Sequence, residues 1–268
     1  MSTNTKKVVK IDANPRRIRV KFAGETIADS KRVLTLHERG HLPVYYFPIE
    51  DIRTDLLVAT DHTTYCPFKG DASYWTIEAN GRVSENAVWG YQEAIAPSEA
   101  IKGYVSFYWN KVDAWFEEEE EIFVHPRDPY KRVDALQSSR HIRVVIDGIT
   151  VAESQRPVIV FETGLPVRYY LPAEDVRQEL LTATEHRTRC PYKGEASYWT
   201  ANIGSKTHEN IVWSYENPIP EIPKIKGLLS FYNERVETYI DGERDGELTW
   251  HLSALDFFNA NEIKPVLA

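Results

Sequence analysis

Laid over itself with residue 16 against residue 140, the chain runs in register, without a gap, as far as residue 119 against 243. Roughly 45 of about 104 aligned pairs are identical. Such self-similarity limits the fold more than any other feature. The period is too long for a solenoid unit and right for a domain. Two copies of one fold are therefore expected, 1–130 and 131–268. Their junction falls in "HPRDPYKRVDALQSSR" (125–140), where prolines and a Ser-Ser pair interrupt the pattern. The repeat also filters residues, because an idiosyncratic side chain tends to differ between the copies.

Each copy reads as short strands around one short helix. "IRVKF" (18–22), a turn at "AGE" and "TIADS" (26–30) predict a hairpin, and "VLTLHE" (33–38) and "VYYF" (44–47) extend the sheet. In "PIEDIRTDLLVAT", Ile52, Leu56 and Ala59 lie at helical spacing, as do Val176, Leu180 and Ala183. Pro48, Glu50 and Asp51 suit a helix start. A loop over 60–71 is expected next, then strands at "ASYWTI", "NAVWGY", "IKGYVSFYW" and "KVDAWF". The pair Glu85-Asn86, repeated as Glu209-Asn210, reads as turn residues. The fold class is mainly β: two tandem, small antiparallel β domains.

Composition narrows the function. The formal net charge of -8 argues against a general nucleic-acid binder, which needs a basic face. No apolar run approaches the ~18 residues of a spanning helix. "MSTNTKKVVKIDANPRR" lacks the apolar core of a secretory signal, and two cysteines do not make a disulfide scaffold, so a cytoplasmic location is expected.

The chemistry concentrates in "CPFKGDASYW" (66–75), written again as "CPYKGEASYW" (190–199). Pro67 and Gly70 suit a turn, but a turn alone does not need a lysine. Recurrence of Lys69 as Lys193 points to a buried ion pair or to recognition of an anionic group. Cys66 and Cys190 read either as small buried hydrophobes or as thiols with a cationic neighbour. One His (His62, His186) and one Cys per copy leave a zinc tetrahedron half empty, so no metal and no cofactor are expected.

Aromatic residues keep the same register. Tyr74, Trp75 and Trp89 return as Tyr198, Trp199 and Trp213, and Tyr45, Tyr46, Tyr91, Phe107 and Tyr108 recur as well. Strand alternation puts Tyr74 and Trp75 on opposite faces. The candidate ligand-binding residues are Cys66, Lys69, Tyr74, Trp75 and Trp89, with Cys190, Lys193, Tyr198, Trp199 and Trp213. They describe an aromatic pocket with few polar anchors, a common form of small-molecule site. Its edges differ between copies, Phe68 against Tyr192 and Trp109 against Asn233.

The Ala28–Ser30 hairpin, "YYFPIEDI", "CPFKGDASYW", the "VWGY" strand and "IKGYVSFY" together resemble the family of the domain of unknown function 427. The resemblance covers both copies. It implies a β-tent fold, two antiparallel sheets leaning together. The zinc of some β-tent relatives does not carry over, because the paired C-x-x-C ligands are missing. The family is also labelled nucleotidyltransferase. The chain shows no Gly-Ser element followed by D-x-D or E-x-D, and no Walker-type loop. Three readings remain: a small-molecule binding module, an enzyme (thiol-dependent or nucleotidyltransferase-like), or a scaffold whose repeated residues serve folding.

Overall fold

The computed structural model describes residues 9–246. They form two compact units, divided between Asp128 and Pro129. The first holds β1 (Val9–Ala13), β2 (Ile18–Phe22), β3 (Glu25–Ser30), β4 (Leu34–Glu38), β5 (Val44–Pro48), β6 (Leu57–Cys66), β7 (Gly70–Ala79), β8 (Arg82–Gly90), β9 (Tyr104–Phe107), β10 (Ala114–Glu117) and β11 (Glu120–Ile122). In the second, β12 (Val133–Gln137), β13 (Ile142–Ile146), β14 (Ile149–Ser154), β15 (Val158–Glu162) and β16 (Arg168–Leu171) come first. They are followed by β17 (Leu181–Cys190), β18 (Gly194–Ile203), β19 (Lys206–Ser214), β20 (Leu229–Phe231), β21 (Glu237–Ile240) and β22 (Glu243–Arg244).

Each unit pairs a seven-stranded with a four-stranded antiparallel sheet. The first has the orders β1-β4-β5-β9-β8-β7-β6 and β11-β10-β2-β3. The second repeats the large sheet as β12-β15-β16-β20-β19-β18-β17 and has β14-β13-β21-β22 beside it. Alternation explains the main core. Ile18, Val20 and Phe22 point inward from β2 and meet Tyr45, Phe47, Ile77, Val88 and Phe107 of the large sheet, with Trp115 of β10 between them. Ile142, Val144, Tyr169, Leu171, Val212 and Phe231 repeat this arrangement.

The large sheet is apolar on its other face too. Leu36, Tyr46, Ala72, Tyr74, Tyr91 and Ile101 form a second cluster there, repeated by Val160, Tyr170, Ala196, Tyr198, Tyr215 and Ile225. The segment after β8 covers it, docked by Ile95 N–H to the Lys69 carbonyl at 3.2 Å. This second face carries the candidate site.

Three local expectations are corrected. The helix expected from Pro48 is two three-residue 3₁₀ turns, Ile49–Asp51 and Thr54–Leu56. Between them Ile52 is extended and bridges Ala28, so the helical spacing of apolar residues is produced by turns that dip twice into the core. Asp51 accepts from Ser30 at 2.6 Å and pairs with Arg32 at 2.7 Å rather than starting a helix. The loop expected over 60–71 is strand as far as Cys66. Its Thr-rich sequence favours the pleated surface, with a bulge between Ala59 and Thr63. Asn86 and Asn210 lie inside β8 and β19 rather than in turns, at left-handed φ of 47° and 48°. Their Oδ1 atoms accept from Thr60 and Thr184 at 2.7 Å.

Candidate functional site

The Cys-Pro-x-Lys-Gly stretch is a tight hairpin turn. Cys66 pairs with Gly70 across it, and Lys69 N–H closes it on the Cys66 carbonyl at 3.1 Å; Cys190, Lys193 and Gly194 do the same, the latter closure at 3.3 Å. Gly70 and Gly194 sit at φ of 95° and 110°, where a side chain is strained. A Cβ on either would also lie 3.1 Å from the carbonyl of Glu93 or Asn217.

The turn folds its lysine inward. Lys69 is 7 % exposed and Lys193 6 %. Each ammonium donates to a glutamate at the end of a distant strand, Lys69 to Glu38 and Lys193 to Glu162. On a flat sheet β4 and β7, four steps apart in the strand order, would be separated by about 19 Å. The ion pair therefore requires the large sheet to curl around its second face. Glu162 receives a further ammonium, Lys131, at 3.0 Å. Burial pushes its carboxyl up, but Lys193 and Lys131 outweigh burial and hold it below the ordinary glutamate range. The same ammonium groups lie 3.6 Å (Lys69) and 3.7 Å (Lys193) from the sulfurs of Cys66 and Cys190.

Next to this cluster runs an aromatic row. In the second unit Tyr170, Ser230, Trp213 and Tyr198 are neighbours across four strands. Ser230 is fully buried, and its hydroxyl has no hydrogen bond among the described residues. Its small side chain leaves a gap, across which Trp213 Nε1–H donates to the Tyr170 hydroxyl at 3.1 Å. Tyr198 and Thr188 hydroxyls lie 2.7 Å apart, as do those of Tyr74 and Thr64. Burial, together with the hydrogen bond to Tyr198, pushes Tyr232 up to about 12; Tyr108 beside Tyr74 is pushed to about 12 for the same reasons. Burial likewise raises Tyr46, Tyr91, Tyr170 and Tyr215.

In the second unit these side chains surround a cleft of about 170 Å³. Tyr170, Tyr198, Trp213, Tyr215 and Tyr232 wall it, with Lys193 and Glu162 to one side. Arg168 stands at the edge, bidentate to Glu234 at 2.6 and 3.0 Å, with its guanidinium 5.5 Å from the Trp213 ring and 5.6 Å from the Tyr232 ring. Tyr215 is 6 % exposed, faces the cleft, and makes no hydrogen bond through its hydroxyl among the described residues.

A family model described as a domain of unknown function, DUF427, matches residues 10–118 and again 134–242. The chain belongs to this family, in tandem. No curated protein matches the chain.

Of the residues expected at the site, Lys69, Cys66, Tyr74 and Trp89 share one face of the first family domain. Lys193, Tyr198 and Trp213 line the cleft of the second, and Cys190 adjoins it through Lys193. Trp75 and Trp199 are not part of this grouping. They lie on the opposite face of β7 and β18, half-buried against the inter-sheet cores. Sequence reasoning missed Glu162, Tyr170, Tyr215, Tyr232 and Arg168 as cleft residues. The first four recur as Glu38, Tyr46, Tyr91 and Tyr108, so a signal was available. Arg168 replaces Val44, and a filter based on recurrence discards it. Among the described residues no group of three or more His, Cys, Asp or Glu is placed to hold a metal, and no helix is long and apolar enough to cross a membrane.

Proposed function

We propose that the second family domain binds a small molecule carrying one planar ring in the cleft beside Lys193. The observation that carries this reading is the Tyr215 hydroxyl, which faces the cleft from an otherwise buried aromatic side chain and makes no hydrogen bond among the described residues. A tyrosine hydroxyl set in an aromatic wall favours a hydrogen-bond partner, and a ligand acceptor would supply one here. The size fits a single ring, since a cavity of about 150 Å³ accepts benzene and drug-sized ligands need about 300 Å³ or more. Polarity sets the ligand's edge. Arg168, Lys131 and Lys193 outnumber Glu162 and Glu234, which favours an acceptor or carboxylate at the rim. A purely structural role accounts for the Lys193–Glu162 pair but leaves Tyr215 unexplained.

Ligand-observed NMR with a set of single-ring aromatic acids and amides tests the reading. Binders are expected for the full chain, weakened about tenfold by Tyr215→Phe, the factor that corresponds to about 1.4 kcal/mol for one hydrogen bond. Absence of any binder, or binding indifferent to both Tyr215→Phe and Trp213→Ala, would overturn it.

A further inference from the structure

Backbone hydrogen bonds close the hairpin turn and the Lys–Glu pair ties it to a distant strand, neither with help from sulfur, yet both turns begin with a cysteine whose sulfur rests on the same ammonium. We propose that Cys66–Lys69 and Cys190–Lys193 are modification sites, at which a peroxide drives a reversible sulfur–nitrogen cross-link.

Several features combine here. Nζ and Sγ are already in contact at 3.6 and 3.7 Å, so a bond between them needs only a small approach. Both cysteines are half-buried, which leaves a peroxide a route to sulfur while limiting access of larger thiols. The thiolate is the form that attacks peroxide, and at each turn an ammonium is in contact with the sulfur. Tyr91 and Tyr215, 8 % and 6 % exposed and without hydrogen bonds through their hydroxyls among the described residues, belong to the same packed clusters as Cys66 and Cys190. They supply a donor for the departing oxygen. Each turn thus holds nucleophile, amine, carboxylate and phenol.

The chemistry balances in two steps. Sulfur attacks hydrogen peroxide; an S–O bond forms, the O–O bond breaks, and the leaving hydroxide takes the thiol proton to depart as water. Sulfur has lost two electrons and peroxide has gained them, giving a sulfenic acid. Next, the ammonium passes one proton to Glu38 or Glu162, and its freed lone pair attacks the sulfenyl sulfur. An N–S bond forms and the S–O bond breaks. The hydroxide that leaves takes a second proton from nitrogen and departs as water. A reducing thiol reverses the link by attacking sulfur and returning the amine. While linked, the turn has no ammonium, and the proton passed to Glu38 or Glu162 goes on to solvent.

The full chain is treated with hydrogen peroxide, remaining thiols are alkylated, and the protein is digested with trypsin without reductant. The expected product is a peptide lighter by two hydrogens that joins 66 to 69, or 190 to 193, internally. Trypsin should no longer cut after Lys69 or Lys193, and dithiothreitol should restore both mass and cleavage. Dimedone present during oxidation should divert the product to its sulfenic-acid adduct. Lys69→Arg keeps the charge beside Glu38 and should stop the first turn at that adduct while the second still closes. Thiols inert to peroxide, adducts with cleavage after lysine intact, or a disulfide joining Cys66 to Cys190 would each overturn the proposal. The dimedone arm uses the unaltered chain, so the test survives a variant that does not fold.

Discussion

Val44 and Arg168 hold the same place on β5 and β16, facing the same kind of aromatic row, and they separate the two units at its edge. Beneath them the constellation is largely constant: lysine on glutamate and cysteine, with the same tyrosines and tryptophan clustered beside them. At the rim, valine gives way to a guanidinium braced by Glu234, and Glu38 with one ammonium gives way to Glu162 with two. The difference teaches that the curled sheet and its ion pair form a common base, while ligand preference is set by residues that can change without disturbing that base.

The largest effect that can break this comparison comes from the lysines. Lys69→Met strands Glu38 and should cost the first unit about 3 kcal/mol, as removal of one partner of a buried pair generally does. Lys193→Met leaves Glu162 with Lys131 and should cost clearly less. Hydrogen exchange resolved by unit measures both, and equal losses would mean that Lys131 adds nothing.

A smaller effect concerns Gly90, which stands where the second unit has Ser214. A Cβ on Gly90 would lie 2.7 Å from the Tyr104 carbonyl, so Gly90→Ser should cost about 2 kcal/mol of overpacking. Ser214 is buried with an unpartnered hydroxyl, and Ser214→Ala should be neutral or stabilising in urea unfolding.

Smaller again is the acid response of the second unit. A carboxyl held below its ordinary value of 4.5 gives stability that is present above that pH and lost as pH falls through the folded value. Glu162→Gln should flatten this acid limb. On the alkaline side Tyr108 and Tyr232 work in the opposite sense. Their neutral forms are favoured in the fold, so stability is full below about pH 10 and is lost as pH rises toward about 12. Phenolate absorbance should then appear together with unfolding. The smallest effect is expected for Arg168→Val, within about 1 kcal/mol in thermal unfolding, because its partner Glu234 is half exposed; the change should appear instead in which ring acids bind.

Much of this was legible in the sequence, for identifiable reasons. Period-two alternation placed Tyr74 and Trp75 on opposite faces, as found. The repeat marked Lys69 and Cys66 because both copies keep them while neighbouring residues change. The partner of Lys69 was hidden: Glu38 lies on a strand that is no neighbour of β7, and only the curl of the sheet brings them together. The helix was misread because Ile52, Leu56 and Ala59 imitate a helical stripe when two short turns each return the chain to the core. Arg168 gave no recurrence at all.

The matching sheet orders also bear on how the chain reaches its folded state. Two homologous domains in tandem invite a strand of one to dock in the other, the usual hazard of repeat proteins. Ile77, fully buried in the core that holds Trp115, corresponds to Ala201, also fully buried, and the buried Trp115 corresponds to Thr238, each paired with the matching valine of the neighbouring strand, Val20 or Val144. A first-copy β7 inserted in the second core brings a side chain several atoms too large, while β18 in the first core leaves a void beside the indole. Such volume mismatch penalises the exchanged pairing and favours each strand in its own core.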